Sequence, residues 1–130
     1  MPLTTAGRNF IANAIINNGS PVFFTNAVAH LGAGDNTAIF AQAHTDLQAA
    51  TNKFRQPMEA TYPQIATNVI TFRALFATGD ANYAWEEFAV FNAAAAGTML
   101  TRKAQALGTK TSAAQWQLTV DVTVTNADEV

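Results

Sequence analysis

The sequence predicts a mainly β fold, an antiparallel β-sandwich of about six strands with one N-terminal α-helix. Three observations lead to this prediction. Apolar residues near the N-terminus recur at helical spacing, apolar and polar residues near the C-terminus alternate strictly, and turn-forming residues separate the short apolar segments between them. A chain of 130 residues has the usual size of one domain, so we expect a single domain over residues 1–130.

The predicted helix covers about residues 5–18. Thr4 or Thr5 can act as its N-cap, because a threonine hydroxyl can accept a hydrogen bond from a free backbone N–H of the first turn. Gly19 can adopt the left-handed conformation that often follows a helix, and Pro21 cannot continue one. The apolar stripe of this helix consists of Phe10, Ile11, Ala14 and Ile15.

The predicted strands lie between about residues 27 and 125. Residues 27–31 are expected to form a short strand, followed by a flexible turn at 32–36 that contains two glycines. A further strand at 52–58 is expected at a sheet edge, because its proline lacks the N–H that an inner strand must donate. The last residues, 126–130, are predicted to be a frayed tail.

The second half of the chain carries the clearest strand signals. Strands are predicted at 68–76, 83–91, 99–104 and 116–125, with breaks at 92–97 and 107–109. In the last strand the apolar face consists of Trp116, Leu118, Val120, Val122 and Val124. The polar face consists of Gln117, Thr119, Asp121, Thr123 and Thr125. This alternation predicts one buried and one solvated face, with Trp116 packed under the helix or the opposing sheet.

Composition excludes several classes of function. Only 12% of the residues are charged and the net charge is −2, with no basic run, so we expect no nucleic-acid partner. No segment approaches the ~20 apolar residues of a membrane span, and the N-terminus lacks the apolar core of a signal peptide. No membrane partner is therefore expected, and the absence of cysteine excludes a disulfide-stapled scaffold.

The sequence predicts no catalytic, cofactor-binding or metal site. The two histidines, His30 and His44, lack the spacing of known metal-ligand pairs. The glycine-rich segment at 32–35 lacks the lysine of a phosphate-binding loop, and neither serine lies in a nucleophile elbow. We therefore expect a protein that is not an enzyme.

Glu87 is the one charged residue with two open interpretations. Glu86 and Glu87 point to opposite faces of the predicted strand at 83–91, so they cannot converge as the carboxylate pair of a glycosidase. Glu87 is either an ordinary surface or interface glutamate, which the sequence favours, or an inward carboxylate. An inward carboxylate needs a partner such as Arg73 or Arg102, because burying an unpaired charge is costly.

Several short motifs resemble those of small virion proteins of tailed bacteriophages. Residues 4–12 are similar to the opening T-x-A-G-x-x-x-I-A of that group, which includes the N-terminal module of tail-collar fibre proteins. The segments 31–35 and 45–47 are similar to its strand that ends in a Gly-x-Gly-Asp turn and to its T-x-L motif. Residues 87–92 are similar to its E-x-G-[VL]-[FY]-[ND] element, with Ala89 in place of the usual glycine.

The resemblance implies a β-sandwich with a non-enzymatic structural role in a virion, made in the cytoplasm of the bacterial host. Such a protein is a tail or neck adaptor, a fibre-like component or a capsid decoration protein, and it docks on another virion protein. The chain ends directly after the last predicted strand, so we do not expect the shaft of a fibre. The alternative is a small carbohydrate- or ligand-binding β-sandwich with Tyr62, Asp35 and Asn36 in its site.

We expect a homo-oligomer, with a trimer favoured because modules of the resembling group commonly trimerise on virions. Soluble monomers often protect their sheet edges with lysines, and this chain has lysine only at positions 53, 103 and 110. Polar uncharged side chains can form hydrogen bonds across an interface at less desolvation cost than ion pairs. The candidate oligomer interface is the polar face of the last strand, with Gln117, Thr119, Thr123 and Thr125.

Overall fold

The computed structural model describes residues 1–125, and the predicted frayed tail at 126–130 lies outside the described residues. One helix is followed by seven strands. Their bounds are α1 (Thr5–Ile15), β1 (His30–Gly34), β2 (Lys53–Pro57), β3 (Gln64–Ala66), β4 (Val69–Phe76), β5 (Ala84–Phe91), β6 (Met99–Thr109) and β7 (Trp116–Thr123).

The strands form two antiparallel sheets. One has four strands in the order β2-β1-β5-β6, and the other has three in the order β3-β4-β7. The predicted mainly β, sandwich-like fold with one N-terminal helix is confirmed, and β2 lies at a sheet edge as its proline indicated. Residues 1–125 contain one strand more than expected, because β3 is only three residues long and exposed throughout, so no alternation marks it.

The hydrophobic core lies between the two sheets. The three-stranded sheet contributes Phe72 and Phe76 from β4, and the four-stranded sheet contributes Trp85 and Val90 from β5. Burial of this apolar surface is the main favourable term in folding, at about 25 cal/mol per Å² of apolar area removed from water. The two sheets are therefore held together chiefly by large side chains of β4 and β5.

The alternation predicted for the last strand is confirmed. In β7, Leu118, Val120 and Val122 are buried, whereas the polar residues between them are exposed. Trp116 is half-buried and packs edge-on against Trp85 of the opposing sheet, with 5.1 Å between the ring centroids. The prediction that the apolar face of this strand points into the core was therefore correct up to the end of β7.

The helix is shorter than the predicted 5–18. Thr4 is its N-cap and accepts a hydrogen bond from the N–H of Gly7 at 2.8 Å, but α1 ends at Ile15. Asn17 adopts a positive φ of 52°, which reverses the chain before Gly19 does. A Cβ at Gly7 would overlap the carbonyl oxygen of Leu100, so this glycine lets the helix lie directly on the backbone of β6.

The turn predicted at 32–36 is wrong, because Gly32 and Gly34 lie inside β1, which pairs with β2 on one side and β5 on the other. Close packing around these two positions, rather than a turn, explains why they are glycines. A Cβ at Gly32 would lie 2.9 Å from Cδ1 of Leu47 and 2.9 Å from a ring carbon of Phe91, and one at Gly34 would lie 2.7 Å from Oε2 of Glu87. These distances are shorter than a van der Waals contact, so a larger residue at either position would force its neighbours to move.

The break predicted at 107–109 is also wrong, because β6 continues through Leu107 and Gly108 to Thr109. The strand accommodates extra residues by a shift of register between the pairs Trp85–Gly108 and Glu87–Ala104. Gly108 has a φ of 105°, which a glycine adopts at a β-bulge without steric cost. The glycine therefore marks a bulge within a strand rather than the end of one.

Candidate functional site

A buried ion pair between Glu87 on β5 and Arg102 on β6 is the most highly organised polar site in residues 1–125. The Nε–H of Arg102 donates to Oε1 of Glu87 at 2.8 Å, and both side chains are fully buried. The adjacent strands bring the two residues to one face, because Glu87 pairs with Ala104 and Ala89 pairs with Arg102. The pairing of β5 with β6 thus places the two charges within direct contact.

Glu87 also fixes the loop between β1 and β2. Its Oε1 accepts from the N–H of Gln48 at 2.7 Å, and its Oε2 accepts from the N–H of Ala49 at 2.8 Å and of Asn36 at 3.3 Å. A carboxylate can accept several hydrogen bonds. Here its oxygens accept from backbone N–H groups that would otherwise have no partner in the interior. Both ends of the loop are therefore tied to one buried side chain.

This arrangement decides between the two interpretations of Glu87. The interpretation as a surface or interface glutamate, which the sequence favoured, is wrong, and the inward carboxylate with Arg102 as its partner is correct. Arg73 lies elsewhere, with its guanidinium 4.5 Å from the ring centroid of Tyr62. Within residues 1–125, the hydrogen bonds of Glu87 all come from Arg102 and from backbone N–H groups of the loop, so the side chain serves as a structural anchor.

His44 extends the ion pair toward the surface of the loop. Its Nδ1 accepts from the N–H of Ala41 at 3.2 Å and lies 3.5 Å from Nη1 of Arg102. Burial, and then the positive charge of Arg102, lower the pKa of His44 below its ordinary value of 6.5, while Glu87 opposes this shift. Within residues 1–125 the buried Nη2 of Arg102 has no hydrogen-bond partner, so this guanidinium is held mainly through Nε.

The protein is expected to lose stability as the pH falls from about 7 to about 5, because the unfolded chain then binds a proton at His44 more readily than the folded one. The stability contribution of neutral His44 is complete above pH 6.5 and is lost as the pH falls through the lowered pKa. Thermal unfolding of the wild type and of His44→Asn, which keeps an acceptor near the position of Nδ1, measures this effect. Equal slopes of melting temperature against pH for the two proteins would contradict it.

A second, more exposed polar cluster joins the loop to the turn after β5. Asp46 accepts from Lys53 at 3.0 Å and from Arg55 at 3.1 Å. Partial burial acts to raise the pKa of Asp46, but the hydrogen bonds from Lys53, Arg55 and the N–H of Leu47, together with the charge of Lys53, outweigh it, so the pKa is lowered below 3.8. Arg55 also donates to the carbonyls of Ala93 and Ala96 and lies over the ring of Phe91, 3.4 Å from its centroid. No sequence pattern indicates this cluster, because its members belong to three separate segments.

The three residues of the alternative ligand site are not brought together. Asp35 lies beside the start of β2, where Asn52 donates to its carboxylate at 2.8 Å, and Asn36 donates to Glu87. Tyr62 follows the other end of β2, and it packs against the core and beneath the guanidinium of Arg73. Since Asp35 and Tyr62 lie at opposite ends of β2, they do not form one binding site.

The candidate interface residues Gln117, Thr119, Thr123 and Thr125 are all exposed, as expected. The first three lie on β7, which pairs with β4 on one side and with no other strand of residues 1–125 on the other. Gln117 donates to the carboxylate of Glu59 at 2.8 Å, so one of the four is already engaged within the chain. The edge of β7 thus offers free backbone donors and acceptors beside a polar face.

Within residues 1–125, no group of three or more His, Asp or Glu side chains is placed to hold a metal ion. The same residues include no helix with the length and apolar character that a membrane span requires. Comparison of the sequence with models of protein families and with curated proteins finds no match.

Proposed function

We propose that the protein is a non-enzymatic structural subunit of a bacteriophage virion, which self-associates and docks on another virion protein. In this role it is a tail or neck adaptor, a fibre-like component or a capsid decoration protein. The proposal starts from the resemblance of four short motifs to small virion proteins of tailed phages. It is supported by what the residues of those motifs do in the fold.

The observation that carries the proposal is that the motif residues make contacts on which the fold depends. Thr4 caps α1 and donates to the carbonyl of Met99, and Gly7 lets α1 lie on β6. Gly34 leaves room for the carboxylate of Glu87, which anchors the loop between β1 and β2. A resemblance carried by such residues supports a shared architecture more strongly than one carried by exposed positions.

The last residue of the fourth motif has a similar role. Asn92 accepts from the N–H of Thr98 at 2.7 Å, which closes the turn between β5 and β6. It also donates to the carbonyl of Val22 at 2.9 Å and so fixes the segment after α1. An aspartate at this position, which the motif also allows, could accept from Thr98 but could not donate to Val22.

Composition supports a role in an assembly. Charged residues make up 12% of the chain, about half the usual share for a soluble domain, and alanine, threonine and asparagine take their place. Surfaces with few charges pack against other subunits at little desolvation cost. We therefore propose a homo-oligomer. The resemblance to phage virion proteins favours a trimer, located in the virion after synthesis in the host cytoplasm.

The test is the presence of the protein in purified particles. Phage particles from the strain that encodes the chain are purified by density gradient, and their proteins are quantified by mass spectrometry against the major capsid protein. We expect a fixed stoichiometry across gradient fractions that hold particles, and labelling by specific antibodies at one position on the particle. Recovery of the protein only in the particle-free fractions, together with abundant host cytoplasmic proteins, would contradict the proposal.

A further inference from the structure

Within residues 1–125, an open apolar groove runs between α1 and the three-stranded sheet. Phe10 and Ile11 of α1 form one wall, and Ile70 of β4 and Val122 of β7 form the other. The groove has a volume of about 520 Å³, and Phe23 lies at its rim with 52% of its surface exposed. Soluble monomers rarely leave a continuous apolar surface of this kind open, and such surfaces usually mark an interaction site.

The way in which α1 docks explains why the groove is open. Of the residues of α1, Thr5–Ile15, only Gly7 is fully buried, where the helix approaches the backbone of β6, and Ile11 is partly buried against the core. The apolar stripe of the helix is therefore only partly covered. Phe10 contacts Phe24 with 5.0 Å between ring centroids, and Phe24 contacts Phe72 at 6.4 Å, so the walls are positioned by aromatic packing.

The same helix also carries protruding apolar side chains. Ile15 and Ile16 at its C-terminal end are 78% and 75% exposed. Ile15 follows Ile11 by four residues, so it lies on the same face, one turn beyond the groove. The apolar groove and the exposed isoleucine side chains thus lie next to each other on one surface. A surface that carries both is complementary to another copy of itself, as contacts between identical subunits require.

The charge of the groove points to the same partner. None of the residues that line it, all within residues 1–125, has a charged side chain. Met1 also lines the groove, and away from its α-amino group a charge brought by a partner would lose its hydration without gaining an ion pair. A second copy of this chain brings the uncharged apolar end of its own α1.

We propose that this groove binds the C-terminal end of α1, with Ile15 and Ile16, from a second copy of this chain. The proposal rests on the self-association included in the proposed function and names the surface that performs it. Thr123 and Thr125 line the groove and also belong to the candidate oligomer interface. A second copy seated in the groove therefore also contacts the C-terminal end of β7.

The experiment measures the mass of the full chain in solution by light scattering over a series of concentrations. The test variant is Ile15→Glu with Ile16→Glu, and the matched control is Ile39→Glu, an isoleucine that is 84% exposed and lies outside the groove. We expect oligomers for the wild type and the control, and a dissociation constant higher by about tenfold or more for the test variant. Thermal unfolding checks that all three proteins are folded.

Three results would overturn the proposal. They are a monomeric wild type at about 100 μM, equal dissociation constants for the test variant and the wild type, or dissociation by Thr119→Lys but not by the isoleucine variant. The last result would place the interface on the polar face of β7, away from the groove. The measurement needs no virion, so its failure is distinct from absence of the protein in purified particles, which tests the proposed function.

Discussion

Replacement of Glu87 by alanine is expected to lower the free energy of unfolding by about 3–5 kcal/mol, the usual cost of removing one partner of a buried ion pair. Arg102 would remain buried with an uncompensated charge. The backbone N–H groups of Gln48 and Ala49 would lose their acceptor at the same time. Denaturant unfolding measured by circular dichroism gives the difference.

Glu86→Ala is the matched control, because Glu86 is the neighbouring carboxylate of β5 and is less buried than Glu87. We expect it to cost less than about 1 kcal/mol. The double variant Glu87→Leu with Arg102→Met should recover part of the loss, because apolar side chains can replace a buried ion pair at little cost. Equal costs for Glu87→Ala and Glu86→Ala would show that the ion pair does not stabilise the fold.

Trp85→Ala is expected to cost about 3–5 kcal/mol, the usual range for deleting a large buried aromatic side chain. Trp85 lies fully inside the core, with its ring centroid 4.7 Å from that of Phe76 and 5.1 Å from that of Trp116. Its Nε1–H also donates to the carbonyl of Ala81 at 2.9 Å, which ties the turn before β5 to the core. The same denaturant measurement tests this variant.

Trp116→Ala provides the comparison for Trp85→Ala. Trp116 is half-buried, so its deletion removes less apolar contact area and leaves a site that solvent can enter. We therefore expect a smaller cost, about 1–3 kcal/mol. A larger loss for Trp116→Ala than for Trp85→Ala would mean that the centre of the core lies at β7 rather than at β5.

The elements that the sequence predicted well are those whose signal is local. The period-2 pattern of β7 and the N-cap at Thr4 depend on neighbours along the chain, so both could be identified from their own residues. β1 could not, because its glycines are explained by Leu47 and Glu87, which are remote in sequence. A glycine required by close packing has the same sequence signature as a glycine in a turn.

The candidate sites show the same limit. Adjacency to Glu86 predicted that the two carboxylates face opposite ways, but it could not predict which of them is buried. That depends on Arg102, which lies on the neighbouring strand and 15 residues away in sequence. The groove was missed for another reason: Phe23 and Phe24 lie in an irregular segment with no periodicity to predict their common direction.

The contacts of Thr4 govern the order in which the protein can assemble during its synthesis. Its hydroxyl donates to the carbonyl of Met99, 95 residues later, and its N–H donates to the carbonyl of Leu100. A helix as short as α1 is marginal in water on its own. α1 is synthesised before every strand of residues 1–125, yet β6, the strand on which it rests, is the sixth of those seven. α1 is therefore made before the strands but becomes stable only after β6 is made, and closure of the groove walls also awaits β6.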